Sequence, residues 1–251
     1  MCFGGGTGVL QCRALNRRRC CVAILIAAAL ALAGCKPRAT LALHYLPGFV
    51  PGSQNIFRPA KIAVPPTTSD IGVSDYQVGS IYADDGNIKA PLQVRNADRT
   101  FNDALIRGLR DAGLVPVALD SNPDGKPPEG SDFILNSDLK QLELNKRFSP
   151  NWTIHGQYFT MNAIVRVKYE LKNRDGDVLF SGEINGTETE PPNPVGAEIF
   201  LPLETEPAES LSVAMSRAVG LLIVDPKFRD PLPLRAAADA TPTPSPSAPQ
   251  P

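Results

Sequence analysis

The chain has 251 residues, with 25 Lys and Arg against 26 Asp and Glu, a formal net charge of −1 and 43% hydrophobic residues. That is enough for one domain of ordinary size, and the charge balance argues against a nucleic-acid binder, which needs a clustered basic surface. All five cysteines (Cys2, Cys12, Cys20, Cys21 and Cys35) lie near the N-terminus, so the rest of the chain has neither disulfides nor thiol metal sites and must rely on an apolar core.

The first elements are not part of that core. Arg17-Arg18-Arg19 precede an apolar run, Val22 to Leu32, which ends at Ala33 and Gly34. A basic cluster, a short apolar segment and small residues form a secretory signal, and the run is below the roughly 20 residues needed to span a bilayer. Cys35 follows as a nucleophile suited to alkylation. Leu32-Ala33-Gly34-Cys35 resembles the lipobox of bacterial lipoproteins. The resemblance implies cleavage between Gly34 and Cys35, a diacylglycerol thioether on Cys35 and acylation of its amine, palmitate being a typical acyl group. Residues 1–34 carry four basic residues and no acidic one, so removing them leaves 21 basic against 26 acidic side chains, a charge of −5. The Gly-rich Gly4 to Gly8 lacks the Gly-Lys-Ser/Thr ending of a phosphate loop.

Residues 35–60 carry Pro37, Pro47, Gly48, Pro51, Gly52 and Pro59, which predicts a lipidated N-terminus and tether. Leu41 to Val50 is too apolar for a plain linker, and it is left open whether it lies on the domain, on the bilayer or on a partner. Lys61 to Val64 is the first core strand, stopped by Pro65-Pro66. Ile71 to Val78 and Ile81-Tyr82 form either a hairpin or an ordered loop.

Thr100 and Asp103 resemble a capping box. Phe101, Ala104, Leu105, Gly108, Leu109 and Ala112 then make one helical stripe, which Gly113 terminates. Leu114 to Leu119 is a strand that Pro116 confines to an edge or to starting after it. Phe133 to Asn145 is a strand whose apolar residues change parity, which calls for a bulge near Lys140. Phe159 to Leu171 alternates, with Ile164 the one strongly apolar residue on the second face, the pattern of a sheet buried on one side. Asn173 to Asp177 turns the chain into a further strand, Val178 to Thr187, as an antiparallel hairpin. After Pro191, Pro192 and Pro194, a second helix follows, with Pro207 in its first turn and Leu211, Met215, Ala218 and Leu222 buried. Asp225-Pro226 ends it.

These elements predict a single α+β domain over residues 61–228: a mixed or antiparallel sheet with two helices on one face. Residues 229–251 are predicted to be a disordered tail rich in Pro, Ala and Thr.

The Ile62-Ala63-Val64-Pro65-Pro66 strand, the helix Phe101 to Ala112, the loop into Asp132-Phe133-Ile134-Leu135, the long hairpin and the closing helix together resemble the YajG-like family of envelope lipoproteins. The resemblance covers roughly residues 60–225. It implies an α+β fold in the cell envelope and assigns no catalytic residue. The Pro-rich insert at 191–207 and the tail after Arg235 depart from it. Lys36, where the enterobacterial sorting rule places Asp to retain a lipoprotein in the inner membrane, implies the outer membrane, facing the periplasm.

Candidate chemistry is sparse. His44 and His155 lack companions at metal-ligand spacing, and no Gly-x-Ser-x-Gly elbow is present. Ser131-Asp132 is assigned to turn chemistry. Asp84-Asp85-Gly86-Asn87 and Asp175-Gly176-Asp177 lack the spaced oxygens of a calcium loop. Glu183, Glu188 and Glu190 are assigned to a wet sheet face rather than to a glycosidase pair. Lys146-Arg147 is assigned to a solvated loop, with anionic headgroups or a protein as the alternative. Trp152 and Tyr158 are the candidate partner-binding residues if exposed.

The expectation is therefore a non-enzymatic, lipid-anchored periplasmic protein that binds an envelope protein during envelope assembly or lipid transport. It takes no metal or cofactor beyond the lipid on Cys35. The alternative is a carrier of a lipid or glycan between sheet and helices, and a hydrolase ranks below both. The oligomeric state is left open.

Overall fold

The computed structural model describes residues 39–69, 75–82, 87–120, 129–151, 156–194 and 205–234. The elements in chain order are β1 (Ala39–Leu41), β2 (Lys61–Val64), β3 (Thr68–Ser69), β4 (Asp75–Tyr82), β5 (Ile88–Arg95), α1 (Ala97–Asp111), β6 (Val115–Ala118), β7 (Phe133–Asn151), β8 (Gly156–Asn173), β9 (Val178–Pro194), α2 (Thr205–Val224) and α3 (Pro226–Arg229). They form a single α+β domain around one mixed sheet.

The frame is the antiparallel meander β7–β8–β9, three strands of 17 to 19 residues. Strict alternation makes β8 its spine. Met161, Ala163, Val165, Val167, Tyr169 and Leu171 are fully buried, while Thr160, Asn162, Arg166 and Lys168 face water. The parity change in β7 is resolved by a bulge: Leu139 pairs with Val167 and Gln141 with Arg166, so Lys140 is the extra residue. Leu135, Leu139, Leu142 and Leu144 are all buried as a result.

β8 occupies one edge of β7 along its length, which leaves the other edge for three parallel partners in tandem. β2 meets β7 at Phe133 and Ile134, β3 at Asp138 and Leu139, and β4 at Leu144 to Arg147. β6 extends the sheet outward from β2, and β5 then β1 extend it from β4. β6 is thus an edge strand, as Pro116 requires. Asp75–Tyr82 is one continuous strand, so Val78 and Ile81-Tyr82 do not face each other across a hairpin; its antiparallel partner is Ile88–Arg95, a strand not expected from the sequence, and residues 71–74 lie outside the described residues.

Both long helices cover the buried face. Phe101 of α1 meets the Tyr169 ring at a centroid distance of 6.4 Å. At Gly186 of β9, a Cβ would stand 2.0 Å from the Ala214 carbonyl oxygen, so helix α2 lies almost backbone-to-backbone on the strand. Leu211, Met215, Ala218 and Leu222 are buried as their spacing requires. The short α3 adds Phe228, whose ring meets Phe57 and Phe180 edge-on at 6.3 and 5.7 Å.

Five local expectations need correction. The tether does not run to residue 60: Ala39–Leu41 is a sheet strand, and Leu41, Phe57 and Ala60 belong to the core. Helix α1 begins at Ala97 rather than Thr100, with Asn96 in the left-handed region (φ 48°) and no side-chain cap. Thr100 instead donates its backbone N–H to the Asn96 carbonyl in the first turn. Strand β9 continues through Pro191 and Pro192 to Pro194 instead of ending at Thr187, which its position at the sheet edge tolerates. The fold passes beyond Phe228, because Leu232 is buried and Leu234 bridges to Phe57. Lys146 is not in a solvated loop; it is 1% exposed, on β7 between Ile81 and Met161 in register.

Candidate functional site

The segment after β1 is a strap across α2. The helix carries Ala208, Ser212, Ser216 and Gly220 at four-residue steps, a ribbon of small side chains that admits a close neighbour. His44 donates its backbone N–H to Ser212 Oγ at 3.1 Å, and Leu46 to Ser216 Oγ at 2.9 Å. The two hydroxyls donate in turn to the carbonyls of Ala208 and Ser212. At Gly220, a Cβ would be 2.5 Å from Val50 Cγ2. Phe49 lies under the Arg217 guanidinium at 5.1 Å, and Arg217 also holds Glu188 and the Thr187 carbonyl. Tyr45 reaches Asp111 on α1, and its phenol is pushed up to about 12 by burial, then by the Asp111 charge and hydrogen bond.

This strap fixes where the chain leaves the domain. β1 is parallel to β5, β5 antiparallel to β4, and β4 parallel to β7. The entry to β1 therefore faces the same way as the β7–β8 hairpin end. Tyr82, Ile88 and Arg147 share a register level there, and Ile88 is 44% exposed.

The opposite end carries open surface. Asp132 accepts from the Lys61 backbone N–H at 2.9 Å and pairs with Arg174 at 2.5 Å. The Lys61 hydrogen bond, then that of Arg174, holds its carboxyl below the usual range. A recess of about 360 Å³ lies beside them, lined by Ala60, Val115 and Gly130 among others. A second, of about 560 Å³, runs between Leu179–Ser181 and Lys227, Asp230 and Pro231. Val115, Val117, Val178 and Leu179 are exposed at this end, and among the described strands β6 pairs only with β2. Unpaired backbone beside apolar side chains and shallow recesses gives this edge the groups that an added strand could pair with.

On the outer sheet face, a recess of about 150 Å³ includes Asn136 and Asp138. Their Oδ1 atoms are buried without a partner, room enough for a bridging water. The neighbouring Glu170 is held below the usual carboxylate range, chiefly by its hydrogen bond to Lys172.

Of the residues singled out in the sequence, Gly34, Cys35, Trp152, His155 and Asp84 to Gly86 lie outside the described residues. Tyr158 is on β8, paired with Ser149 and Pro194; its side chain too lies outside the description. Asp132 does serve the turn into β7. Asn173 organises the Asp175–Asp177 turn by accepting from both their amides at 2.9 Å. Glu183 pairs with Arg166, and Glu188 with Arg217. No group of three potential metal ligands forms among the described residues. Of the alternatives left open for Leu41 to Val50, the structure selects the domain, and the Ala208–Ser212–Ser216–Gly220 spacing is the signal that marks its seat on α2; the pairing of Asp132 with Lys61 and Arg174 was not foreseen.

No family model and no curated protein matches the chain. Solved structures similar to it include a DUF330 protein from Xanthomonas campestris, with 13% identity, a TM-score of 0.44 and coverage of 75% of this chain and 95% of that one. A second is a putative neuraminyllactose-binding hemagglutinin homolog from Helicobacter pylori (12%, TM-score 0.38, 73% and 90%). A third is a lipoprotein from Neisseria meningitidis (14%, TM-score 0.30, 53% and 85%). Nothing about ligand or partner follows from likenesses this distant.

Proposed function

We propose that the chain is a lipid-anchored protein of the bacterial cell envelope, without catalytic activity, that binds an envelope protein in assembly or lipid transport. The observation that carries the reading is the position of the lipobox-like Cys35 four residues before β1. Lipid on that thiol would tether the domain to a membrane through a short connection, and the exposed β6 edge beside the Asp132 recess is the surface we assign to the partner. Lys36 after the cysteine favours the outer membrane, on its periplasmic side.

The second reading, a carrier of lipid or glycan, needs a cavity between helices and sheet. At Gly186 helix α2 closes onto β9, with an ideal Cβ 2.0 Å from the Ala214 carbonyl oxygen, and this favours the adaptor.

In-cell crosslinking and pull-down of the lipoprotein, with proteins and lipids both read by mass spectrometry, tests the two. A stoichiometric envelope protein lost on substitution of Val115 and Val117 supports the adaptor and its face. Retention on those variants, with loss on Trp152→Ala or Tyr158→Ala, keeps the adaptor and moves its face to the hairpin. A bound lipid or glycan without protein makes this a carrier. Cys35→Ala is expected to abolish lipid incorporation; membrane partitioning that persists with lipid attached overturns the anchor.

A further inference from the structure

We infer that the open edge of β6 takes the C-terminal end of a partner chain. The partner's last residues lie antiparallel to β6 as an added strand, and its terminal carboxylate turns into the recess beside Lys61. This rests on the partner site proposed at the β6 edge and names the part of the partner that is read there.

The backbone of β6 sets how far such pairing can run. Val115 and Leu119 donate their amides to the Ala60 and Val64 carbonyls at 2.9 and 3.0 Å, so the odd-numbered residues turn their backbone groups toward β2. The even-numbered ones turn theirs to the open side, because these groups alternate along a strand. Pro116 offers only a carbonyl there, while Ala118 offers an amide and a carbonyl. An antiparallel chain exchanges both bonds with Ala118 and, two residues further on, donates an amide to the Pro116 carbonyl. Pairing stops at this point, since proline returns no N–H. A chain that continued would leave the carbonyl opposite Pro116 without a donor. A chain that ends there carries a carboxylate instead.

The charge at this end complements that carboxylate. Lys61 is level with Val115, next to Pro116, and Asp132 and Arg174 continue the row into the sheet. Arg174 neutralises Asp132, and among the described residues the Lys61 ammonium makes no ion pair or hydrogen bond. Two cations thus face one carboxylate, and the surplus positive charge sits on the side chain nearest the edge. Lys61 and Val115 both line the recess of about 360 Å³. An added strand lies two strand spacings, about 10 Å, from β2, which the four-carbon stem of Lys61 bridges. The larger recess carries Lys227 and Asp230, one charge of each sign, and has no such preference. Val117, 37% exposed, faces the partner's penultimate residue, and a β-branched or aromatic side chain packs best there.

The full-length protein, purified from membranes in detergent, is presented with an array of random octapeptides in two forms, one with a free C-terminal carboxylate and one with a C-terminal amide. The retained free acids are expected to bind about tenfold more tightly than their amides, as one charge-assisted hydrogen bond contributes. They are also expected to favour Val, Ile, Thr or an aromatic residue at the penultimate position. Lys61→Gln is expected to abolish the preference for the acid, and Lys227→Gln to keep it. Ala118→Pro is expected to abolish binding of both forms with an unchanged melting curve, since the amide that it removes faces away from β2. Equal binding of acid and amide, or a preference that survives Lys61→Gln, overturns the carboxylate site. Binding that survives Ala118→Pro overturns the added strand. The in-cell crosslink separates these failures from that of the adaptor. An array that retains nothing, beside an envelope protein still lost on substitution of Val115 and Val117, sinks this inference alone; loss of both sinks the partner site with it.

Discussion

Leu46 donates its backbone N–H to the Ser216 hydroxyl at 2.9 Å, across a sequence separation of 170 residues. The Ser216 hydroxyl in turn donates a hydrogen bond to the Ser212 carbonyl at 2.7 Å. One small side chain therefore satisfies a strap amide and binds the N-terminal segment to the last long helix. This bond and the parallel one from His44 to Ser212 hold the strap against the helix.

Ser216→Ala removes the acceptor and leaves the Leu46 amide without its partner. The expected cost is about 1–2 kcal/mol in urea unfolding, with faster proteolysis between residues 41 and 50. Ser212→Ala should act similarly through His44. Unchanged cleavage of the strap in the double variant would show that these bonds do not hold it.

Gly186→Ala places a methyl group against the Ala214 carbonyl oxygen and the Ala218 backbone nitrogen, 2.0 and 2.6 Å from an ideal Cβ. Backbone cannot yield as a side-chain tip does, so a loss of about 2–3 kcal/mol or failure to accumulate is expected. At Gly182 the nearest atom is the tip of the Phe180 ring at 3.0 Å, and Gly182→Ala should cost less than about 1 kcal/mol. Comparable losses at the two sites would contradict the tight helix–strand approach.

Asp132 gains stability from a depressed carboxyl, through the Lys61 amide and then Arg174. Its contribution is complete above the unfolded value of 3.8, falls as the pH drops through the lower folded value, and is absent below it. Asp132→Asn should therefore destabilise the protein at pH 7 and approach the parent's stability in acid. A difference independent of pH would show that the charge is immaterial. Because Asp132 is partly exposed and Arg174 more so, the effect should also shrink with salt.

Tyr45 predicts an alkaline counterpart. Its folded value of about 12 lies above the ordinary 10.0, so its contribution is full below pH 10 and lost as the pH rises through 12. Tyr45→Phe should flatten the stability profile over that interval, measured by unfolding at graded pH. Identical profiles would place the alkaline sensitivity elsewhere, the fully buried Tyr169 being the next candidate.

Elements with a regular period were legible along the chain. The odd-numbered apolar residues of β8, the Phe101 to Ala112 stripe and the bulge at Lys140 follow from side-chain alternation within a few residues. The start of α1 was not, because Asn96 begins it through backbone conformation without a side-chain cap. Lys146 misled for a related reason: a charged residue predicts water, yet its strand position lies inside the sheet. Of the candidate site, the turn role of Asp132 was legible. The Asp132 end was not, since Asp132, Lys61 and Arg174 are distant in sequence and meet only when β2 joins β7.

The sequence by itself determined the α+β class, the three-strand meander and the amphipathic helices, because these depend on local periodicity and on which face must leave water. Only the tertiary structure decided that Leu41 to Val50 lies on α2, that β2, β3 and β4 share one edge of β7, and that β1 enters from the hairpin side. Those choices are made by long-range pairing, in which an aperiodic apolar segment or a short strand gains its partner only after the meander has formed an edge and α2 has presented its ribbon of small residues.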